Sequence, residues 1–234
     1  MNHTVPILMY HSISKTNNKL SVSIKSFNKQ MYLMKKLGYQ SINLSELDSV
    51  NSKNKFVITF DDGYADFFNN AYPILKKLNY KATIFIVSNF VNDSNKWDLK
   101  KNDYIKRMLM DDKQINELIK EGYEIGSHTL DHLDLTSIND SEIEKQIYQS
   151  KKNIEVKFKT CVYSFSYPFG LYNTNILNKV EKKFKFAVTT KRSRFKTNKF
   201  NNYTLPRIPI NSNTGLFKFF LKIKTFYEDI KFVN

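Results

Sequence analysis

A chain of 234 residues, 41% hydrophobic and 15% aromatic, holds enough apolar material for one sizeable core and too little length for two. Its 25% charged residues, with only 6 Gly and 5 Pro, exclude collagen-like and disordered classes. Thirty-seven Lys and Arg against 22 Asp and Glu give a net charge of +15, which brings nucleic acid, anionic lipid and acidic glycan into consideration, although stretches such as Lys15-Thr16-Asn17-Asn18-Lys19 and Asn51-Ser52-Lys53-Asn54-Lys55 spread it as a compositional bias would.

The N-terminus has no basic start before a long apolar run: Ile7-Leu8-Met9-Tyr10 is cut off at once by His11, and no later run approaches a membrane span, so the chain reads as cytoplasmic. Val5 to Tyr10 reads as a short buried strand, and Phe27 to Leu37 as a helix with Phe27, Met31, Met34 and Leu37 at helical spacing and Gly38 as its stop. Lys55 to Phe60 is a strand and Ala65 to Leu78 a helix; Ala82 to Val87 is the next strand, followed by a polar stretch from Ser88 to Arg107. A helix over Lys113 to Lys120 ends at Gly122, and Tyr123 to Gly126 is strand-like. Ser141 to Val156 is a helix with Asp140 or Ser141 as N-cap and Glu142 and Glu144 in its first turn. The lone Cys161 excludes a disulfide framework and, beside the strand Val162 to Tyr167, is expected as a small buried thiol. Asn175 to Phe184 is helical, Phe186 to Thr189 and Leu205 to Ile210 are strands, and Leu216 to Ile230 is a terminal helix.

About seven alternations of strand and helix imply parallel strands in one domain over residues 1–234, either a (β/α) barrel or a doubly wound sheet. His11, Asp61-Asp62, His128 and Pro168-Phe169-Gly170 each follow a strand, and in a barrel these ends converge on one face. A distorted or incomplete (β/α) barrel is therefore expected.

Asp61-Asp62-Gly63 puts adjacent carboxylates at a strand end; it is either a capped turn or a pair in which one acid binds a metal and the other acts as a base. His128 and His132 stand four apart, which on a helical turn directs both imidazoles to one side. Of the four histidines, His3, His11, His128 and His132, three follow predicted strands on the same face. Two histidines and a carboxylate suit a divalent metal, zinc by default, with open positions for water and a substrate oxygen. A second carboxylate then serves as base and a further histidine as acid in hydrolysis of an amide or ester.

Thr59-Phe60-Asp61-Asp62-Gly63 together with Ser127-His128-Thr129-Leu130-Asp131-His132 resembles the polysaccharide deacetylases, carbohydrate esterase family 4. The likeness extends to Val5 through His11, Ser166-Tyr167-Pro168-Phe169-Gly170 and Leu205-Pro206-Arg207-Ile208. It implies a distorted (β/α) barrel, Asp61 as catalytic base, and Asp62, His128 and His132 as ligands of zinc, or of cobalt, nickel or iron. Two features depart from the family pattern. No histidine follows His132 to supply the late Leu-x-His acid; Tyr10-His11 matches the poly-N-acetylglucosamine deacetylase-like subset instead, which makes His11 the general acid. The Arg-x-Pro-Tyr arginine is also absent, and Arg207 either replaces it or is an ordinary ion-pair residue. The backbone N–H near Phe169, with Tyr167, is implied at the oxyanion and substrate.

Trp97 is read as a core residue or a ring that stacks on sugar, and Lys191-Arg192-Ser193-Arg194-Phe195-Lys196 as a solvated loop or a phosphate contact. The terminal helix, with Leu216, Phe220, Ile223, Tyr227 and Ile230 on one stripe, either packs on the barrel or lies on a membrane surface. The expected activity is N-deacetylation of an amino sugar in a cell-surface glycan or its precursor, polymeric or lipid-linked. The alternatives are an O-acetyl esterase or small-amide hydrolase with the same metal site, and a glycan- or nucleic-acid-binding protein with a dead site; no nucleic acid partner is expected.

Overall fold

A computed structural model describes residues 4–15, 18–50, 54–196, 201–225 and 227–231; His3 lies outside them. The principal strands are β1 (Ile7–Tyr10), β2 (Gln40–Ile42), β3 (Lys55–Phe60), β4 (Thr83–Ile86), β5 (Glu124–Ser127), β6 (Ser164–Ser166), β7 (Phe186–Arg192) and β8 (Leu205–Pro209). All pairings among them are parallel. Seven, in the order β1-β8-β7-β6-β5-β4-β3, form a ring that closes where β3 pairs with β1, from Ile7 opposite Val57 to Tyr10 opposite Phe60. The eighth, β2, pairs with Lys55–Val57 at the lower end of β3, on the edge that β4 takes higher up. The fold is the expected distorted (β/α) barrel, in one domain.

Strands covered on both faces need near-continuous apolar runs, and every residue of β1 and β4 is buried. Along β3 the pleat sends Phe56, Ile58 and Phe60 out to the helices and Val57 inward, to a floor shared with Phe85, Phe186, Val188 and Leu205. The next inward residues, Thr59 and Asp61, begin a buried polar layer above that floor. Register slips between β7 and β8: Val188 pairs with Leu205 but Arg192 with Arg207. The bulge at Thr189–Lys191 brings the Thr189 carbonyl to Arg207, whose Nε donates to it at 2.9 Å.

The helices are α1 (Ile24–Lys36), α2 (Tyr72–Leu78), α3 (Asp112–Lys120), α4 (Asp140–Phe158), α5 (Thr174–Glu181), α6 (Leu216–Lys224) and α7 (Tyr227–Lys231). α1 begins ahead of Phe27 because the Ser23 hydroxyl caps it, accepting from Ser26 N at 3.2 Å. A π-helical turn, Phe67–Ala71, precedes α2, and Asn139, not Asp140 or Ser141, caps α4. Cys161 is exposed, not buried, since β6 starts only at Ser164.

The expected terminal helix is two helices. The buried face of α6 is Phe219, Lys222 and Ile223, so Leu216, Phe220 and Ile230 of the expected stripe are 43%, 37% and 76% exposed. Lys222 is drawn inward by an ion pair with fully buried Glu228. Glu228 also accepts from Arg192 Nε and Nη2 at 2.9 and 3.1 Å, and Asp229 accepts from Arg194 Nε and Nη2 at 2.9 and 2.7 Å. The arginines of the basic loop therefore hold α7 and are not a solvated or phosphate-binding surface. No helix among the described residues is long and apolar enough to cross a membrane.

Candidate active site

At the top of β3 the chain turns immediately after its two acids: Asp62 has φ 72° and Gly63 φ 68°. Glycine suits this turn twice over, because a Cβ on Gly63 would also lie 3.0 Å from Ile86 Cγ2. The left-handed aspartate lets Asp61 and Asp62 line one cavity, where continued strand geometry would have sent them to opposite sides.

The histidine pair follows β5 in an irregular turn, not a helical one. Thr129 (φ 69°) and His132 (φ 58°) both take left-handed conformations, and Thr129 Oγ1 accepts from His132 N at 3.0 Å. The two imidazoles still face one side, with ring centroids 4.7 Å apart. Gln146, fully buried on α4, fastens the turn: its Oε1 accepts from Leu130 N and Asp131 N at 3.1 and 3.0 Å, and its Nε2 donates to Asp131 Oδ2 at 2.6 Å. Sequence reading missed this residue; a polar amide on the inner face of an amphipathic helix was the signal available.

His128 Nδ1 donates to the Ser166 carbonyl at 2.7 Å, which turns Nε2 toward Asp62. Asp62 Oδ1 lies 3.5 Å from His128 Nε2 and 3.4 Å from His132 Nε2, yet it is buried without a hydrogen-bond partner among the described residues. An unsatisfied buried carboxylate oxygen facing two imidazole nitrogens is what a divalent cation would satisfy, and one ligating atom from each residue falls within 4.8 Å of the others. Asp62, His128 and His132 therefore fit such an ion. Burial alone would raise the Asp62 pKa, but His128 and His132 hold it well below the carboxylate range. Burial, reinforced by His128, pulls His132 down to about 3, leaving it neutral at physiological pH as a ligand must be.

Asp61 sits beside this set on a different partner. Arg207, fully buried, grips it bidentately, Nη1 to Oδ1 and Nη2 to Oδ2 both at 2.7 Å, while Nη1 also donates to Thr59 Oγ1 and Nη2 to Ser166 Oγ. Burial works to raise the Asp61 pKa; Arg207, with His128 and His11, outweighs it and keeps the carboxyl ionised. At the end of β6, where the Arg-x-Pro-Tyr arginine is replaced by Ser166, the guanidinium that holds Asp61 comes instead from Arg207 on β8. His11 Nε2 lies 3.9 Å from Asp61 Oδ2, at the top of β1.

These groups share a cavity of about 180 Å³ with Trp97, Tyr167 and Phe169. Trp97 is neither a core residue nor a free platform: half-buried, it stacks on His132 with centroids 5.1 Å apart, and Phe169 meets the same imidazole edge-on at 4.8 Å. Phe169 adopts φ 59° and is followed by Gly170 at φ 73°, where a Cβ would collide with Thr190. Tyr167 is buried and donates its hydroxyl to the Tyr203 carbonyl at 3.1 Å. Of the expected residues, His11, Asp61, Asp62, Trp97, His128, His132, Tyr167 and Phe169 line this cavity, while Arg207 is buried behind Asp61; Gln146, Ser166 and Thr59 are further supports.

Residues 48–187 match the family model described as polysaccharide deacetylase. That span includes both aspartates and both histidines that face Asp62 but neither His11 nor Arg207. The chain is 34% identical over 193 residues to the Bacillus subtilis protein YxkH, covering 80% of this chain and 64% of that protein. It is 31% identical over 223 residues to a Staphylococcus aureus protein named poly-beta-1,6-N-acetyl-D-glucosamine N-deacetylase, covering 88% of this chain and 73% of that one. The solved structure of the Streptococcus pyogenes deacetylase PplD in complex with acetate is similar at a TM-score of 0.83 and 26% identity, over 96% of this chain and 100% of that one.

Proposed function

The chain belongs to the polysaccharide deacetylase family, and we propose that it hydrolyses the N-acetyl group of an amino sugar in a glycan or glycan precursor, with residues 1–234 as one metal-dependent catalytic domain. The observation that best supports this is the convergence of two distinct acid sites in one cavity, Asp62 facing two imidazoles and Asp61 held by Arg207. Zinc is the first metal to test, with cobalt, nickel and iron as alternatives.

Asp62, His128 and His132 would hold a divalent ion, which would supply Lewis acidity toward a water and the acetyl oxygen. Asp61, ionised and oriented by Arg207, accepts the proton of the attacking water. The backbone at Phe169 offers a second donor to the developing oxyanion. His11, 3.9 Å from Asp61, gives a proton to the departing nitrogen, releasing acetate and a free amine. An ester leaves as alkoxide and needs less such help, so an acid at His11 favours the amide reading.

The name of the Staphylococcus aureus relative makes β-1,6-linked N-acetylglucosamine oligomers the first substrate to try. Protein stripped by chelator should release no acetate, regain activity with added zinc, and lose both metal and turnover in His128→Ala and His132→Ala. Asp61→Asn should keep its metal while turnover falls about 10²–10⁴-fold. Stoichiometric metal in both histidine variants, or acetate release indifferent to chelation, would overturn the assignment; release from O-acetyl substrates alone would move it to an esterase.

A further inference from the structure

Asn92 to Met110 contains no long helix or strand, yet it is a flap of fixed position. Its limbs run antiparallel, with Leu109 N donating to the Asp93 carbonyl at 2.8 Å, Asn95 N to the Arg107 carbonyl at 3.1 Å and Arg107 N to Asn95 Oδ1 at 2.7 Å. The same flap is stitched to the turn behind the two aspartates: Ala65 N donates to the Met108 carbonyl at 2.9 Å and Met110 N to the Gly63 carbonyl at 3.0 Å. Its limbs are thereby held in register with Asp62, and they support the tip at residues 98–101.

That tip carries Asp98 and Lys101 to the cavity wall beside Trp97. Lys101 Nζ lies 2.5 Å from Asp98 Oδ1 and 5.6 Å from the ring centroid of Phe169, so the pair reaches from the flap to the opposite loop. Stability does not account for it, because the Lys101 side chain is 52% exposed and such pairs contribute little. The hydrolytic chemistry uses neither group.

A carboxylate and an ammonium held side by side present an acceptor and several donors, the complement of neighbouring sugar hydroxyls. At about 180 Å³ the cavity is also below the roughly 300–1,000 Å³ of sites for larger ligands, which suits one ring. We propose that Asp98 and Lys101 are specificity-determining residues that read the hydroxyls of a single pyranose presented to the metal-facing set; this rests on the deacetylase reading.

The test compares zinc-loaded wild type, Asp98→Asn, Lys101→Met and the double variant on two substrates, a β-1,6-linked N-acetylglucosamine oligomer and 4-nitrophenyl acetate, which has no sugar hydroxyls. Each single variant should raise KM for the oligomer by about tenfold or more with kcat little changed, in keeping with hydrogen bonds to charged groups. The double variant should be little worse than either, since the two act together. The loss of kcat/KM on the oligomer should exceed that on the ester about tenfold. Equal losses on both substrates, or an unmoved oligomer KM, would overturn the subsite while leaving the deacetylase reading intact. A wild type that hydrolyses neither substrate would remove that reading and this inference with it.

Discussion

Replacing Arg207 by Met removes one half of a pair in which the side chains are 0% and 4% exposed. Asp61 would keep its weak 3.4 Å contact with the Ser166 hydroxyl and the 3.9 Å approach of His11, and Thr59 Oγ1 and the Thr189 carbonyl would lose their Arg207 donors. Breaking a buried ion pair from one side costs about 3–5 kcal/mol, because a charge is left uncompensated. For a domain of this size that lowers Tm by about 6–20 °C. The sign against pH follows from Asp61. Its lowered folded pKa contributes stability that is present above the unfolded value of about 3.9 and is lost as pH falls through the folded value. Without Arg207, burial is opposed only by His128 and His11 and that pKa rises, so the deficit is largest at neutral pH and narrows on acidification. Urea unfolding with chelator present isolates the pair from any metal contribution. Arg207→Met and Asp61→Asn should each be strongly destabilised, and the double variant should recover much of the loss without activity. Additive losses across the cycle would show that Arg207 does not hold Asp61.

His11→Ala should keep its metal, lose most turnover on an N-acetyl sugar, and lose distinctly less on an activated acetate ester; wild-type rates on the amide would exclude His11 as the acid. Gln146→Leu removes the fastening of the histidine turn and should weaken metal binding about 10–100-fold and alter the visible spectrum of the cobalt-loaded protein, whereas unchanged affinity would make Gln146 a purely structural residue. Glu124, buried and accepting from Thr83 Oγ1, Ser45 N and Ser164 Oγ, has its pKa raised by burial. Its contribution is present below the unfolded Glu range and lost as pH rises through the folded value. Glu124→Gln should therefore gain on wild type in Tm as pH increases from about 4.3 upward, and parallel Tm curves would refute this.

Strands buried on both faces were legible because a continuous apolar run is itself the signal, as in Ile7 to Tyr10 and Thr83 to Ile86. β2 was not, because Gln40-Ser41-Ile42 is short and partly exposed. Asp62, His128 and His132 could be named from residue type and spacing, but the geometry that joins them depends on left-handed backbone at Asp62, Thr129 and His132, which no propensity announces. Arg207 was visible only as a candidate, since its partner lies 146 positions away and the grip depends on a bulge in β7. The stripe on the last helix failed because Thr225 breaks the helix and Glu228 pulls a lysine into the face that apolar periodicity would reserve for hydrophobes.

The last strand of the ring lies beside its first, β8 pairing with β1 through Ile208 opposite Leu8 and Pro209 opposite Met9. His11 stands at the end of one, Arg207 on the other, and Asp61 between them in sequence. During synthesis Asp62, His128 and His132 are therefore all made well before Arg207, the arginine that grips Asp61. A nascent chain that has emerged only as far as β7 has an open sheet, a buried acid without its counter-charge, and a first strand lacking a neighbour on one edge. The strand that completes the ring is thus also the one that brings the counter-charge to Asp61.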